Sequence, residues 1–466
     1  MAALVAACGG DSTPLAVDPG DPVAPALRCE PATAPAPIDP VRRDPPPVGG
    51  SCDPAPEGQL DHEFAAPRWH LGSSTRVETV LRHRDGWLVF VRAGSGHYLA
   101  RFGADGRRDR SFGQDGFVGD LPAAVPVIWN DEIVLVDRSR HYTLGPVLIL
   151  TFVEDDGRVR SESYGEVLRR CGREGSEGGL FVASATVGRG GRLLIGGVAG
   201  GAGCTRPMQP VVLRLTSKGL DPTFAAGGVA ALPNRARDRT VGGVRTAGSE
   251  TITSLRTDAA GRVLGALVVS PEQEDLHLFR LTEVGRLDAC FGHRGFLHRD
   301  LPIEASDAEL GSVLVDGDHL VVGGSAVVDG ESRVLIARVS SDGQLDADFG
   351  EGGVVTLAGR ATATGSRTFR LWSLVTDGGG GVFALGSAGT DPRDGWLLAH
   401  LDRSGLDSDF GLDGTLTLRT GERTEGAKAG LLDGCGGLVF AGDFEFEPGS
   451  ARSRREVVME RLRPLR

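Results

Sequence analysis

A repeated motif is the feature that most constrains the fold of this chain. The string LDADFGEGGVV at residues 345–355 recurs in close copies at 220–230, 287–297, 406–416 and 108–118, with a shortened copy at 60–70. The aromatic anchors of the copies are Phe64, Phe112, Tyr164, Phe224, Phe291, Phe349 and Phe410. They recur about every 60 residues, a period within the range of propellers and solenoids.

Each unit has the pattern of four short strands. An apolar run such as HLVVGG at 319–324 follows a turn signal, and an alternating run such as VLIARV at 334–339 precedes a tight Asp-Gly turn and the Phe motif. Apolar runs separated by such turns indicate antiparallel hairpins. A repeated four-stranded antiparallel unit is the blade of a β-propeller, so the sequence predicts an all-β propeller with seven blades.

The two ends of the repeat region are complementary. The last unit ends on a third strand, EVVMERL at 456–462, whereas LDHEF at 60–64 has the motif without the three strands before it. An N-terminal strand is therefore expected to complete the last blade. The predicted domains are a signal-peptide remnant at 1–8, a tether rich in Pro, Ala and Gly at 9–58, and the propeller at 59–466.

The units resemble the delta-60 repeat family of bacterial proteins, whose signature is DGxLDxxFGxxG, and the resemblance covers residues 59–466. It implies a secreted or surface-attached propeller-like protein. The family has no established catalytic activity, so the resemblance assigns no site residue.

The N-terminus resembles a bacterial lipobox, because LVAACGG places small residues directly before Cys8. The resemblance implies that Cys8 is lipidated and becomes the first mature residue. Because only seven residues precede it, we expect the precursor to begin upstream. The predicted location is the bacterial cell envelope, with the protein lipid-anchored to the outer membrane on its periplasmic or exposed side. The alternative is a chance Ala-rich terminus.

Six further cysteines remain, an even number that fits disulfides in an oxidising compartment. Propeller topology places Cys171 and Cys204 on connections of the same face, so we predict a disulfide between them. Cys52 with Cys435 is a second candidate pair, which leaves Cys29 and Cys290 without an evident partner. The alternative is six free thiols in a cytoplasmic protein. The cysteines have neither CxxC spacing nor a neighbouring His, so the sequence does not predict a metal site at them.

An Arg and an Asp recur at fixed positions around the hairpin between the third and fourth strands. The predicted structural residues are Arg101, Arg214, Arg280, Arg338 and Arg461, with Asp109, Asp221, Asp288, Asp346 and, across the ring closure, Asp61. A guanidinium fork and a carboxylate on adjacent strands satisfy each other when both are buried. Unit two replaces both positions, with Thr151 and Ser161, and unit six pairs Asp407 with His400.

Catalytic chemistry is not evident in the sequence. No nucleophile with a base, carboxylate pair, metal cluster or phosphate loop has credible spacing, so no catalytic, cofactor or metal residue is predicted. The net charge of −12 argues against binding nucleic acid.

The long connections on one face are where a ligand is expected to bind, because variable loops on a rigid scaffold commonly carry recognition. They are 199–210, 232–250, 270–275, 358–368, 389–395 and 445–455. The sequence thus favours a non-catalytic envelope lipoprotein that binds or scaffolds a protein or glycan. The alternatives are a propeller-type enzyme, such as a lyase, hydrolase or quinoprotein, with its site at the central channel, and a purely structural surface protein.

Overall fold

The fold consists of antiparallel sheets arranged in a ring, as the repeat predicts. A computed structural model describes residues 59–65, 67–71, 74–138, 148–164, 179–200, 209–234, 239–241, 244–246, 249–270, 276–299, 305–316, 319–328, 331–357, 369–388, 395–418, 423–446 and 454–465. The described residues form eight antiparallel sheets, of which seven are blades that follow one another along the chain and one is a two-stranded ribbon. The all-β class and the seven four-stranded blades are therefore confirmed.

The strands are assigned to blades in chain order. A short strand, β1 (Arg68–Trp69), comes first. Blade one contains β2 (Arg76–His83), β3 (Gly86–Ala93), β4 (Gly96–Phe102) and β5 (Phe117–Leu121). Blade two contains β6 (Ala124–Trp129), β7 (Glu132–Asp137), β8 (Leu148–Val153) and β9 (Val159–Tyr164). Blade three contains β10 (Gly179–Val187), β11 (Leu193–Gly200), β12 (Gln209–Thr216), the two-residue β13 (Gly219–Leu220) and β14 (Val229–Ala231).

The remaining blades follow the same order. A two-stranded ribbon, β15 (Arg239–Val241) and β16 (Val244–Thr246), lies between blades three and four. Blade four contains β17 (Ser249–Thr257), β18 (Val263–Ser270), β19 (Leu276–Leu281) and β20 (Phe296–Arg299). Blade five contains β21 (Ala305–Asp316), β22 (His319–Val328), β23 (Glu331–Ser340) and β24 (Val354–Leu357). Blade six contains β25 (Phe369–Thr376), β26 (Val382–Ala388), β27 (Trp396–Leu401) and β28 (Thr415–Leu418). Blade seven contains β29 (Arg423–Leu432), β30 (Leu438–Phe446) and β31 (Arg454–Leu462).

The first strand of each blade lies on the inside of the ring. Each of these strands pairs within its own sheet only with the second strand, and it contacts the first strands of both neighbouring blades. We call the face that carries the first-to-second and third-to-fourth strand turns the base. The upper face carries the second-to-third strand connections and those between blades.

A core cluster fills the space between each pair of successive blades. Phe112 lies between blades one and two, and Phe291 lies between blades four and five. Phe64 joins blade one to blade seven together with Val77 and Met459, so the first and last blades share one core. Each of these phenylalanine side chains is almost completely buried. The Phe of the motif is therefore a wedge between sheets.

The glycine after the Phe has a steric role. Gly292 has φ of 51° and lies so close to the backbone that a Cβ would collide with the carbonyl oxygen of Phe296. An L side chain rarely adopts this conformation, so glycine is favoured. In blade three, however, Ala225 takes the same place with φ of 45°.

The N-terminal segment forms the outer strand of the blade-seven sheet. Strand β1 pairs antiparallel with β31, with Arg68 opposite Val458 and Trp69 opposite Val457. A second contact precedes it, because the Asp61 amide donates to the carbonyl of Arg461 at 2.8 Å. The order of this sheet is β1-β31-β30-β29.

Blade two departs from the motif at Tyr164, the predicted worn copy of the Phe anchor, which packs against the core between blades two and three but lies within the fourth strand. Strands β8 and β9 form a continuous hairpin in which Tyr164 pairs with Leu148 at the end far from the turn. Thr151 and Ser161 face each other across this hairpin, and their hydroxyls lie 2.9 Å apart in a hydrogen bond. Two neutral hydroxyls thus replace the charged pair of the other blades.

Candidate functional site

The Arg and Asp positions of the motif meet at the base of the blades. In blade four, Arg280 Nε donates to Asp288 Oδ2 at 2.8 Å, and the two side chains are 2% and 12% exposed. The backbone fixes the geometry, since the Asp288 amide donates to the carbonyl of Arg280 at 2.9 Å. We call this arrangement the basal clamp.

The other predicted pairs adopt the same arrangement. The Nε–Oδ2 distances are 2.7 Å for Arg101 with Asp109, 3.0 Å for Arg214 with Asp221 and 2.7 Å for Arg338 with Asp346. In blade seven Arg461 donates to Asp61, and it also donates to Asp433 at 2.6 Å. The pairs differ in burial. The Arg461 side chain is 1% exposed, whereas the Arg101 and Asp109 side chains are 15% and 33% exposed.

The clamps of Arg101, Arg214 and Arg280 also reach the next blade, which the sequence did not suggest. Arg280 donates to the carbonyl of Ser341 in blade five, and Arg214 donates to the carbonyl of Glu283 in blade four. The guanidinium carbon of Arg280 lies 4.8 Å from the centroid of the Phe291 ring, which adds a cation–π contact. The clamp of blade four therefore joins the hairpin, the Phe wedge and the neighbouring blade, and the clamps of blades one and three make the same three kinds of contact.

Electrostatics favour the charged form of the clamp carboxylates. Burial alone would raise the pKa of Asp346, but hydrogen bonds from Arg338 and from the Asp348 amide, with the charge of Arg338, hold this pKa below its ordinary value. Asp221 follows the same pattern, with Thr223 and Arg214 lowering its pKa. These carboxylates are anions at neutral pH, matched by fixed cations.

In blade six a histidine replaces the clamp arginine. His400 lies between two carboxylates, with Nδ1 2.7 Å from Asp407 Oδ2 and Nε2 3.1 Å from Asp377 Oδ2. The imidazole is 7% exposed and lies 4.7 Å and 5.8 Å, centroid to centroid, from the rings of Phe383 and Phe410. Burial lowers the pKa of His400, but the two carboxylates outweigh it and raise this pKa above its ordinary value of 6.5.

The stability of the protein is expected to fall at alkaline pH because of this histidine. A raised folded-state pKa contributes stability that is complete below pH 6.5 and is lost as the pH rises through the folded-state pKa. The His400→Arg variant restores the residue of the other blades, which stays charged throughout. Urea denaturation at about pH 6 and about pH 9 should therefore show a larger loss in the wild type than in the variant. Equal losses in the two proteins would contradict this assignment.

The remaining predicted sites have different outcomes. Cys8, Cys171 and Cys204 lie outside the described residues, as do Cys29 and Cys52. Cys290 and Cys435, which both lie at the base, are each disulfide-bonded, and the sequence had identified no evident partner for Cys290. Among the residues that the structure describes, no group of three His, Cys, Asp or Glu side chains is placed to hold a metal ion. Within the same part of the chain, no helix has the length and apolarity needed to cross a membrane.

Comparison with known proteins matches one unit of the chain to a propeller family model. The model, described as a domain of unknown function (DUF5122) beta-propeller, matches residues 318–349, which include β22, β23 and the motif as far as Phe349. No curated protein matches the chain.

Several solved structures are distantly similar to the chain. A protein of unknown function from Dyadobacter fermentans is 13% identical with a TM-score of 0.37, and the match covers 85% of this chain and 99% of that one. Chaetomium thermophilum Sqt1, bound to the N-terminus of the ribosomal protein L10, is 12% identical with a TM-score of 0.41, with coverage of 83% and 88%. A prolyl endopeptidase is 13% identical with a TM-score of 0.40; the match covers 84% of this chain but only 48% of the peptidase. The chain thus spans about half of that enzyme. Similarities at this low identity and TM-score do not indicate a function.

Proposed function

We propose that this protein is a non-catalytic propeller that binds or scaffolds a protein or glycan through its upper face. The observation that supports the proposal is the difference between the two faces. The base repeats one clamp in blade after blade, so its side chains are engaged in holding the ring together. The second-to-third strand connections vary in length from the two-residue turn Gly94–Ser95 in blade one to seven residues, 389–395, in blade six and ten, 138–147, in blade two.

The test shortens an upper connection and leaves the base intact. We would replace residues 389–395 with the two residues Gly94–Ser95 of blade one. The matched control replaces Val284 and Leu412, exposed apolar side chains of the base, with serine. The probes are an array of bacterial envelope glycans and a detergent extract of envelope proteins cross-linked to the full chain.

We expect the shortened variant to lose about tenfold or more in affinity for a ligand that the wild type retains, which is the loss of roughly 1.4 kcal/mol of binding free energy. The base variant should bind like the wild type. If the base variant alone loses the ligand, the upper-face assignment is wrong. Chemical turnover of a retained ligand would favour an enzyme with its site at the central channel.

The proposed location is the bacterial outer membrane, to which a lipid on Cys8 would anchor the protein. The lipobox-like LVAACGG string supports this proposal, and the Pro-rich stretch that follows has a composition suited to a tether. When the gene is expressed from an upstream start, the wild type should fractionate with membranes and the Cys8→Ser variant should be released. A wild type that is recovered entirely in the soluble fraction would disprove the anchor.

A further inference from the structure

The first strand of blade six carries an exposed indole. Trp372 is 37% exposed, whereas Trp87, Trp129 and Trp396 are almost completely buried. It lies on β25, one of the strands that form the inside of the ring. Trp372 is the extra residue of a β-bulge between Leu371 and Ser373. Bulges of this kind commonly re-aim a side chain at a functional position.

The equivalent bulge position carries a small residue in blades three, four and five. Bulges occur at the equivalent place in the first strands of blades three, four and five, where the extra residues are Ala183, Thr253 and Gly311. In blade seven the extra residue is Lys428, and in blade one it is Glu78. On the inner wall, blades six and seven thus carry a large aromatic and a cation, blade one carries a carboxylate, and blades three to five carry small residues that leave room.

Two cations accompany the indole. The Lys428 ammonium, from the first strand of blade seven, lies 3.2 Å from the centroid of the Trp372 ring. The guanidinium carbon of Arg370, an exposed residue of the same strand as Trp372, lies 5.3 Å from that centroid. This concentration of positive charge contrasts with the net charge of −12 of the whole chain.

We propose that Trp372, Arg370 and Lys428 form a binding site for an acidic saccharide on the inner wall of the central channel. The flat apolar face of an indole suits the C–H face of a pyranose ring, and it provides rigid contact area at low entropic cost. The Arg370 guanidinium offers two parallel donors to a carboxylate of the sugar. Lys428, which covers the indole without ligand, would turn toward the same carboxylate when the sugar stacks.

This inference goes beyond the proposed function and does not depend on it. The upper-face proposal concerns the long connections and is tested by shortening one of them, whereas the channel site consists of strand residues that such a variant retains. Each proposal can fail without the other.

The test uses tryptophan fluorescence of the full chain. The probes are an oligogalacturonate, a neutral malto-oligosaccharide of the same length, and a short poly-glutamate peptide. We expect a saturable change in tryptophan emission with the oligogalacturonate. The apparent affinity for the other two probes should be at least tenfold weaker. Added salt should weaken binding of the oligogalacturonate, since exposed charge pairs are screened.

Variants separate binding from structure. Trp372→Ala should abolish the fluorescence response, and calorimetry should show at least tenfold weaker binding of the oligogalacturonate. Arg370→Gln, at an exposed position, should weaken binding about tenfold with little change in unfolding temperature. Trp372→Phe, which retains a stacking ring, should bind more tightly than Trp372→Ala. Unchanged affinity in Arg370→Gln, equal binding of the neutral sugar, or preference for the peptide would each overturn the proposal.

Discussion

Replacement of Arg461 by methionine is expected to lower the free energy of unfolding by about 3–5 kcal/mol, the usual cost of removing one partner of a buried ion pair. Arg461 is 1% exposed and lies between Asp61 and Asp433, which are 2% and 5% exposed. Methionine fills much of the same volume but leaves both carboxylates buried without their cation. Urea denaturation of the two proteins at neutral pH measures the difference.

The matched control is Arg101→Met in blade one. It removes the same chemical group from the same position of the repeat, but Asp109 is 33% exposed and water can solvate it. The expected loss is about 1 kcal/mol or less, as for exposed ion pairs. A double variant of Arg461→Met with Asp61→Asn should lose less than the sum of the single variants, because the two residues interact directly. Equal losses from Arg461→Met and Arg101→Met would contradict the link between burial and cost.

The sequence predicted the repeated parts of this structure because each repeated residue satisfies a local requirement. Phe291 separates two sheets, and Arg280 and Asp288 are held opposite each other by the hairpin between them. Such requirements recur in every blade with the motif, so they appear as a period in the sequence.

Contacts that depend on a neighbouring blade were harder to predict. The acceptor for Arg280 in blade five is the backbone carbonyl of Ser341, and a carbonyl is present whatever the side chain. Asp377, the second carboxylate at His400, belongs to a different hairpin from Asp407, so no short spacing reveals it. The exposure of Trp372 depends on a bulge, which leaves little trace in an apolar run.

Blade two shows that a unit of the expected length can lack the motif. The unit length is close to that of the others, which suggested that Tyr164 was an anchor. In the structure the strands β8 and β9 form a plain hairpin in which Arg160 lies 3.8 Å over the Phe152 ring. A blade can therefore keep its four strands and lose the whole clamp when hydroxyls satisfy the hairpin.

The second large effect is expected from removing residues 59–71. This deletion takes away β1, which pairs with β31, and leaves the third strand of blade seven at an unpaired edge. It also removes Asp61 from Arg461 and Phe64 from the core shared by blades one and seven. Loss of a buried Phe side chain alone costs about 3–5 kcal/mol, so the truncated protein should be at least that much less stable.

An exposed strand edge also promotes association, so the truncated protein should form dimers or aggregates in light scattering. The control is deletion of residues 1–28, which keeps Cys29, Cys52 and the segment from Leu60 through β1 and should leave the unfolding midpoint unchanged. A synthetic peptide of residues 59–71, added to the protein that lacks them, should raise its unfolding temperature in proportion to the logarithm of peptide concentration once binding is saturated. The opposite result would be a truncated protein that stays monomeric, unfolds at the wild-type midpoint and does not change its unfolding temperature when the peptide is added. It would show that the ring does not need its N-terminal strand.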